Sequence, residues 1–107
     1  MKIEFYHDFE EEFDEQKLKE AIAPYVPLIK EAQKHLYEAY TVLPKCTSVN
    51  ALIRLEGFSY SYKGYSEDLY LMIQPDGVYL VLIAEVSDIP CYRKEMDVGR
   101  VVIEEEN

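Results

Sequence analysis

The chain has 107 residues, of which 49% are hydrophobic, 21 acidic and 11 basic, for a formal charge of −10. That length fits one domain with one core, residues 1–107, and the apolar content is too high for a disordered acidic tail. The charge exceeds the magnitude of about 2–8 that solubility asks of a small domain; it argues against direct binding of nucleic acid or an anionic membrane and makes a basic protein surface the natural complement.

Every short apolar run in the first twenty residues is interrupted by charge, which predicts neither a signal peptide nor a membrane span, and hence a cytoplasmic protein. Cys46 and Cys91 lack C-x-x-C spacing and are expected as free thiols. Charge is unevenly spread. Residues 1–20 carry −5, residues 21–63 carry +2 and residues 64–107 carry −7. No repeat or Gly/Ser linker occurs.

In chain order, "KIEFY" (Lys2 to Tyr6) alternates apolar and charged residues and predicts an edge strand. From Asp8 the pattern turns helical. Asp8 with Glu11 fits a capping box, and Phe9/Phe13 followed by Leu18/Ala21/Ile22 predict a first helix over about 9–23. Pro24 and Pro27 are expected to break it, with Pro27 opening a second helix. There Leu28, Ile29, Ala32, Leu36, Tyr37, Tyr40 and Leu43 form an apolar stripe opposite Lys30, Glu31, Lys34 and Glu38, up to Pro44.

"SVNALIRLEGF" suits either a strand or a helix closed by Gly57, and the strand is preferred. If it continues through "FSYSYK", apolar parity switches at Gly57, and a bulge there would restore one apolar face. "DLYLMIQPDGVYLVLIAEV" predicts a hairpin around Gln74-Pro75-Asp76-Gly77, with the glycine supplying positive φ. "GRVVIEEE" supplies a closing strand after an irregular segment holding Pro90. The expected fold is α+β: two N-terminal helices packed on an antiparallel sheet of three to five strands.

Neither histidine has the neighbours of a catalytic base: His35 reads as a partly exposed helix residue, and His7 with Glu11 falls short of a zinc or calcium site. "PDGVYLVLIAEVS" resembles the Pro-Asp…Glu-x-Lys pattern of a large family of metal-dependent nucleases, with Asp76 and Glu85 as the carboxylates. It departs where Ser87 replaces the lysine. A turn residue and one nine positions along the next strand would stand roughly 30 Å apart, too far to share a magnesium ion. The expectation is of no catalytic residue, no metal and no cofactor, with a metal-dependent nuclease-like enzyme the least favoured reading.

Two features remain. Tyr6 to Gln16, "YHDFEEEFDEQ", holds six acids in eleven residues. In a helix, Glu10/Asp14 and Glu11/Glu15 would be like-charge i,i+4 pairs, each costing about 0.2–0.5 kcal/mol, while first-turn acids gain about 0.3–1 kcal/mol apiece from the helix dipole. The near balance makes the run tolerable as a solvated helix face, and it leaves the second-turn acids unexplained. At about 5–6 Å between Cβ atoms, such a row is spaced loosely like successive phosphates and would suit a basic groove. The ten tyrosines, with no tryptophan, are the second feature. Tyr60, Tyr62, Tyr65 and Tyr70 bracket a segment read as a loop carrying Lys63, Glu67 and Asp68. Tyrosine favours both strands and interfaces. Glu104–Glu106 reads as an edge guard.

The reading is therefore a small acidic, non-enzymatic interaction protein that occludes a basic nucleic-acid-binding surface of a partner. The partner contacts are expected from Glu10, Glu11, Glu12, Asp14, Glu15, Tyr60, Tyr62, Tyr65, Glu67 and Asp68. In size, charge and α+β composition it looks like the small acidic inhibitors that mobile elements such as phages use against host defence nucleases, anti-CRISPR proteins included. That resemblance implies a defence nuclease as the partner. The alternative is a self-associating structural or assembly module, a homo-oligomer built through the sheet edge or the tyrosine face.

Overall fold

The computed structural model describes residues 2–6, 14–42, 50–87 and 92–104. Its strands are β1 (Lys2–Tyr6), β2 (Ala51–Arg54), β3 (Tyr60–Tyr62), β4 (Tyr65–Gln74), β5 (Gly77–Val86) and β6 (Tyr92–Glu104). They form one six-stranded antiparallel sheet in the order β1-β6-β5-β4-β2, with β3 on the same edge of β4 as β2. The alternating β1 is an edge strand, as its sequence predicts.

The expected pair of helices on a sheet of three to five strands is overturned: the described residues form one helix and six strands. Glu15–Ile22, a 3-10 turn Ala23–Tyr25 and Val26–Val42 follow one another without a break, and together they are α1. Proline fixes φ near −65°, which a helix accepts; what it removes is an N–H. The backbone stays in the right-handed helical region at Ile22, Ala23 and Val26. The Ala23 carbonyl, which would have faced the missing N–H of Pro27, accepts the Val26 N–H instead. Packing on both sides of the joint favours this continuity, because Leu18 and Ile22 before it and Val26 and Ile29 after it enter the same core. Each such burial contributes about 1.5–3 kcal/mol.

The helix starts later than its sequence predicts. Asp14 is the N-cap, and its carboxylate accepts from the Gln16 and Lys17 N–H groups at 3.1 and 3.2 Å. Asp8, Phe9, Glu11 and Phe13 lie outside the described residues. The apolar stripe also needs correction: Ile29, Ala32 and Leu36 face the core, whereas Leu28 and Tyr37 are exposed.

The hairpin at Pro75-Asp76 forms between Gln74 and Gly77, as expected. Gly77 does not take a positive φ. It is small for a different reason: a Cβ there would stand 2.9 Å from the Tyr79 hydroxyl and 3.1 Å from the ring. The strand preferred for residues after Asn50 forms over Ala51–Arg54, but it does not continue unbroken. Both β2 and β3 pair with β4, and the five residues Leu55–Ser59 between them face only Asp68 and Leu69. Gly57, at φ +87°, makes the excursion possible. Its three extra residues are an odd number, so the apolar parity switches as the sequence suggested.

The closing strand is longer than expected, beginning at Tyr92 rather than Gly99. A bulge near Val98 shifts the register against β5 and turns Val98 into the core. The segment with Pro90 lies outside the described residues, as do Cys46 and Cys91.

α1 covers one face of the sheet, sealing Leu55, Leu69, Leu71, Ile73, Val78, Leu80 and Leu82 beneath it. The alternation of the strands puts Tyr70, Met72, Tyr79, Val81 and Ile83 on the other face, where Val81 and Ile83 are also buried. Among the described residues no helix is long and apolar enough to cross a membrane.

Candidate functional site

Residues directly opposite each other in an antiparallel sheet share a face, so the pairing identifies what lies beyond the helix. Leu69, Leu82 and Met96 form the last row packed against α1. The next row on that face is Tyr60, Glu67, Ala84 and Lys94, and the one after it Tyr62, Tyr65, Val86 and Tyr92. Four adjacent strands therefore end in a tyrosine platform roughly 14 Å across. Tyr60, Tyr62 and Tyr92 are 56, 59 and 58% exposed.

The platform is anchored from several sides. Tyr60 and Tyr65 meet edge to face, with centroids 6.4 Å apart, a geometry that suits the ring quadrupoles. The Tyr65 hydroxyl donates to the Glu67 carboxylate. Strand β3 joins β4 through the two-residue turn Lys63-Gly64, both at positive φ, and such a turn follows the natural twist of a hairpin. The Gly64 carbonyl accepts the Ser87 N–H at 2.8 Å and the Ser87 hydroxyl at 3.1 Å, fastening the hairpin tip to the end of β5.

The expected site residues separate into groups. Tyr60, Tyr62, Tyr65 and Glu67 come together on the platform. Asp68 does not, because the strand alternation turns it to the opposite face, where it accepts the Ser59 hydroxyl at 2.6 Å. Glu67 and Asp68 belong to β4 and not to a loop. Asp14 and Glu15 sit at the helix N-terminus. Asp14 is extended, at ψ 105°, so α1 begins after it; the partners expected for Asp14 and Glu15 in an i,i+4 row, Glu10 and Glu11, fall before the described part of the helix. Glu10, Glu11 and Glu12 lie outside the described residues.

Tyr92 was missed by sequence reasoning. The alternation in "YRKEM" is a weak strand signal, and nothing local shows that Tyr92 pairs with Val86 in line with Tyr65 and Tyr62.

The helix N-terminus meets the loop between β2 and β3. One turn into the helix, the Lys17 ammonium donates to the Gly57 carbonyl at 2.7 Å and lies 4.8 Å from the Phe58 ring centroid, in the loop that leads into β3. Beside this first turn, a cleft of about 730 Å³ opens between β1 and α1, lined by Glu4, Glu15, Glu20 and Lys19 around Ile3 and Phe5. Its three carboxylates against one ammonium make it acidic.

The enzyme-like residues are dispersed. His35 is exposed on α1 between Glu31 and Glu38, at 3.8 and 3.9 Å. His7 lies outside the described residues. Asp76 occupies the β4–β5 turn, while Glu85 stands near the far end of β5, 3.8 Å from Arg93. Among the described residues no group of three or more His, Cys, Asp or Glu side chains is placed to hold a metal ion. In comparisons with family models, curated proteins and solved structures, none matches the chain.

Proposed function

We propose that this protein is a non-enzymatic binding protein that covers a basic, nucleic-acid-binding surface of a second protein, with the tyrosine platform as the anchor and the surrounding acids as the source of attraction. The observation that carries this reading is the row Tyr62, Tyr65, Val86 and Tyr92 across four adjacent strands, with Tyr62 and Tyr92 exposed at its two ends, in a chain of charge −10. Exposed tyrosines held in place bury large area with little loss of rotamer freedom, the usual property of binding hot spots. Glu10, Glu11 and Glu12 precede Asp14 by two to four residues in the sequence and add to its negative charge. Long-range attraction from so acidic a protein favours a basic partner and speeds encounter. A defence nuclease is one partner with such a surface.

The test has two steps. The chain is used to capture partners from lysate at low and at high salt, and the captured protein is then assayed for binding to labelled DNA and RNA with and without the chain. The expected outcome is a basic protein released by salt, whose nucleic-acid binding the chain competes away and the triple variant Tyr60→Ala/Tyr62→Ala/Tyr92→Ala does not. Recovery of only the chain itself, unaffected by salt, would replace this reading with the self-associating assembly module.

A further inference from the structure

Among the described residues, Lys63 alone combines a side chain with a positive φ, 44°. It fills the first position of a two-residue hairpin turn, where Gly, Asn or Asp meets the steric demand more readily. The turn directs its ammonium onto the neighbouring tyrosine, 5.3 Å from the Tyr62 ring centroid, within the distance at which a ring face attracts a cation. Lys17 over Phe58 repeats the arrangement at 4.8 Å. Two aromatic rings at this end of the sheet thus each hold an ammonium supplied by the chain itself, although the protein as a whole carries a charge of −10.

We propose that the tyrosine platform is a receptor for an arginine or lysine side chain of a partner protein, and that Lys63 fills this receptor in the free protein until the partner's cation displaces it. The inference rests on the basic-partner reading above and narrows it to one contact. Arginine suits the platform best, because its planar guanidinium stacks on tyrosine as well as pairing with a carboxylate, and Glu67 lies in the adjoining row. The strained lysine then has a consequence for binding: it holds the ring in a cation-ready position and competes with weak cationic ligands.

The probe is a fluorescent nona-arginine peptide, whose binding is followed by anisotropy at physiological ionic strength. Lys63→Gly relieves the positive φ and removes the resident ammonium, so it is expected to fold and to bind the peptide roughly two- to fivefold more tightly. Lys94→Gln removes a charge one row away on the same face and is expected to gain less. In a Tyr62→Leu background the advantage of Lys63→Gly is expected to fall to that of Lys94→Gln, the coupling that defines a direct contact. A Lys63→Gly gain no larger than that of Lys94→Gln, or one that survives in Tyr62→Leu, would overturn the displacement proposal. Binding that ignores Tyr62 but is lost when Asp14 and Glu15 become Asn and Gln would overturn it too, while leaving the basic-partner reading in place. No binding by any variant would remove both.

Discussion

The Lys17 ammonium donates to the Gly57 carbonyl at 2.7 Å across forty residues of sequence, while lying 4.8 Å from the centroid of the Phe58 ring. This pair of contacts fastens the first turn of α1 to the excursion between β2 and β3, next to the start of the tyrosine platform. Lys17→Met keeps the aliphatic stem and loses both contacts. We expect a loss of about 1 kcal/mol in urea denaturation, with faster amide exchange across residues 55–59. An unchanged midpoint and unchanged exchange would show that the loop is held by Phe58 packing alone.

Gly57 and Gly77 are small for different reasons, and alanine should separate them. Gly57 has φ +87°, and a Cβ there would sit 3.2 Å from Lys17 Cε; Gly57→Ala is expected to cost about 1–2 kcal/mol from backbone conformation. At Gly77 the obstacle is the far end of the Tyr79 side chain at 2.9 Å, which can swing aside. Gly77→Ala should cost less than Gly57→Ala, and Tyr79→Val should absorb most of its cost. A Gly77→Ala penalty that persists without the tyrosine would point to a backbone origin.

Asp14 combines a structural task with a proposed binding one. Its carboxylate caps the helix through Gln16 and Lys17, and asparagine caps nearly as well, whereas alanine costs about 1 kcal/mol. Asp14→Asn should leave the melting temperature nearly unchanged, and Asp14→Ala should lower it. If the charge contributes to partner attraction, both should weaken partner binding to a similar degree at low salt. Loss of binding only in Asp14→Ala would assign the residue to folding.

Core and platform should respond oppositely to truncation. Leu69 is fully buried under α1, and Leu69→Ala is expected to cost about 2–5 kcal/mol, enough to threaten a small domain. Tyr62→Ala and Tyr92→Ala, at exposed positions, should cost well under half as much in chemical denaturation while removing partner binding. Large destabilisation by the tyrosine variants would return the platform to a packing role.

Much of the local structure was legible from residue order. The alternation in Lys2 to Tyr6 marked an edge strand, Gln74-Pro75-Asp76-Gly77 marked the central hairpin, and the odd-to-even change of apolar parity at Gly57 marked a break in strand regularity. Each of these signals lies within a few residues, where periodicity and turn chemistry operate. The aromatic members Tyr60, Tyr62 and Tyr65 of the candidate site were legible in the same way, as tyrosines close together in sequence. The composition by itself also determined the acidic character that directs attention to a basic partner.

Tertiary structure decided the rest. Pro24 and Pro27 read locally as helix breakers, yet burial of Leu18, Ile22, Val26 and Ile29 against one sheet carries a single helix through them. Asp8 read locally as the cap of the first helix, whereas the backbone conformation and side-chain hydrogen bonds make Asp14 the cap of α1. Asp68 left the candidate site, and Tyr92 joined it, through strand register. Register is a non-local property, set by which apolar faces can be buried together. No periodicity within either strand records that Tyr62, Tyr65, Val86 and Tyr92 stand in one row.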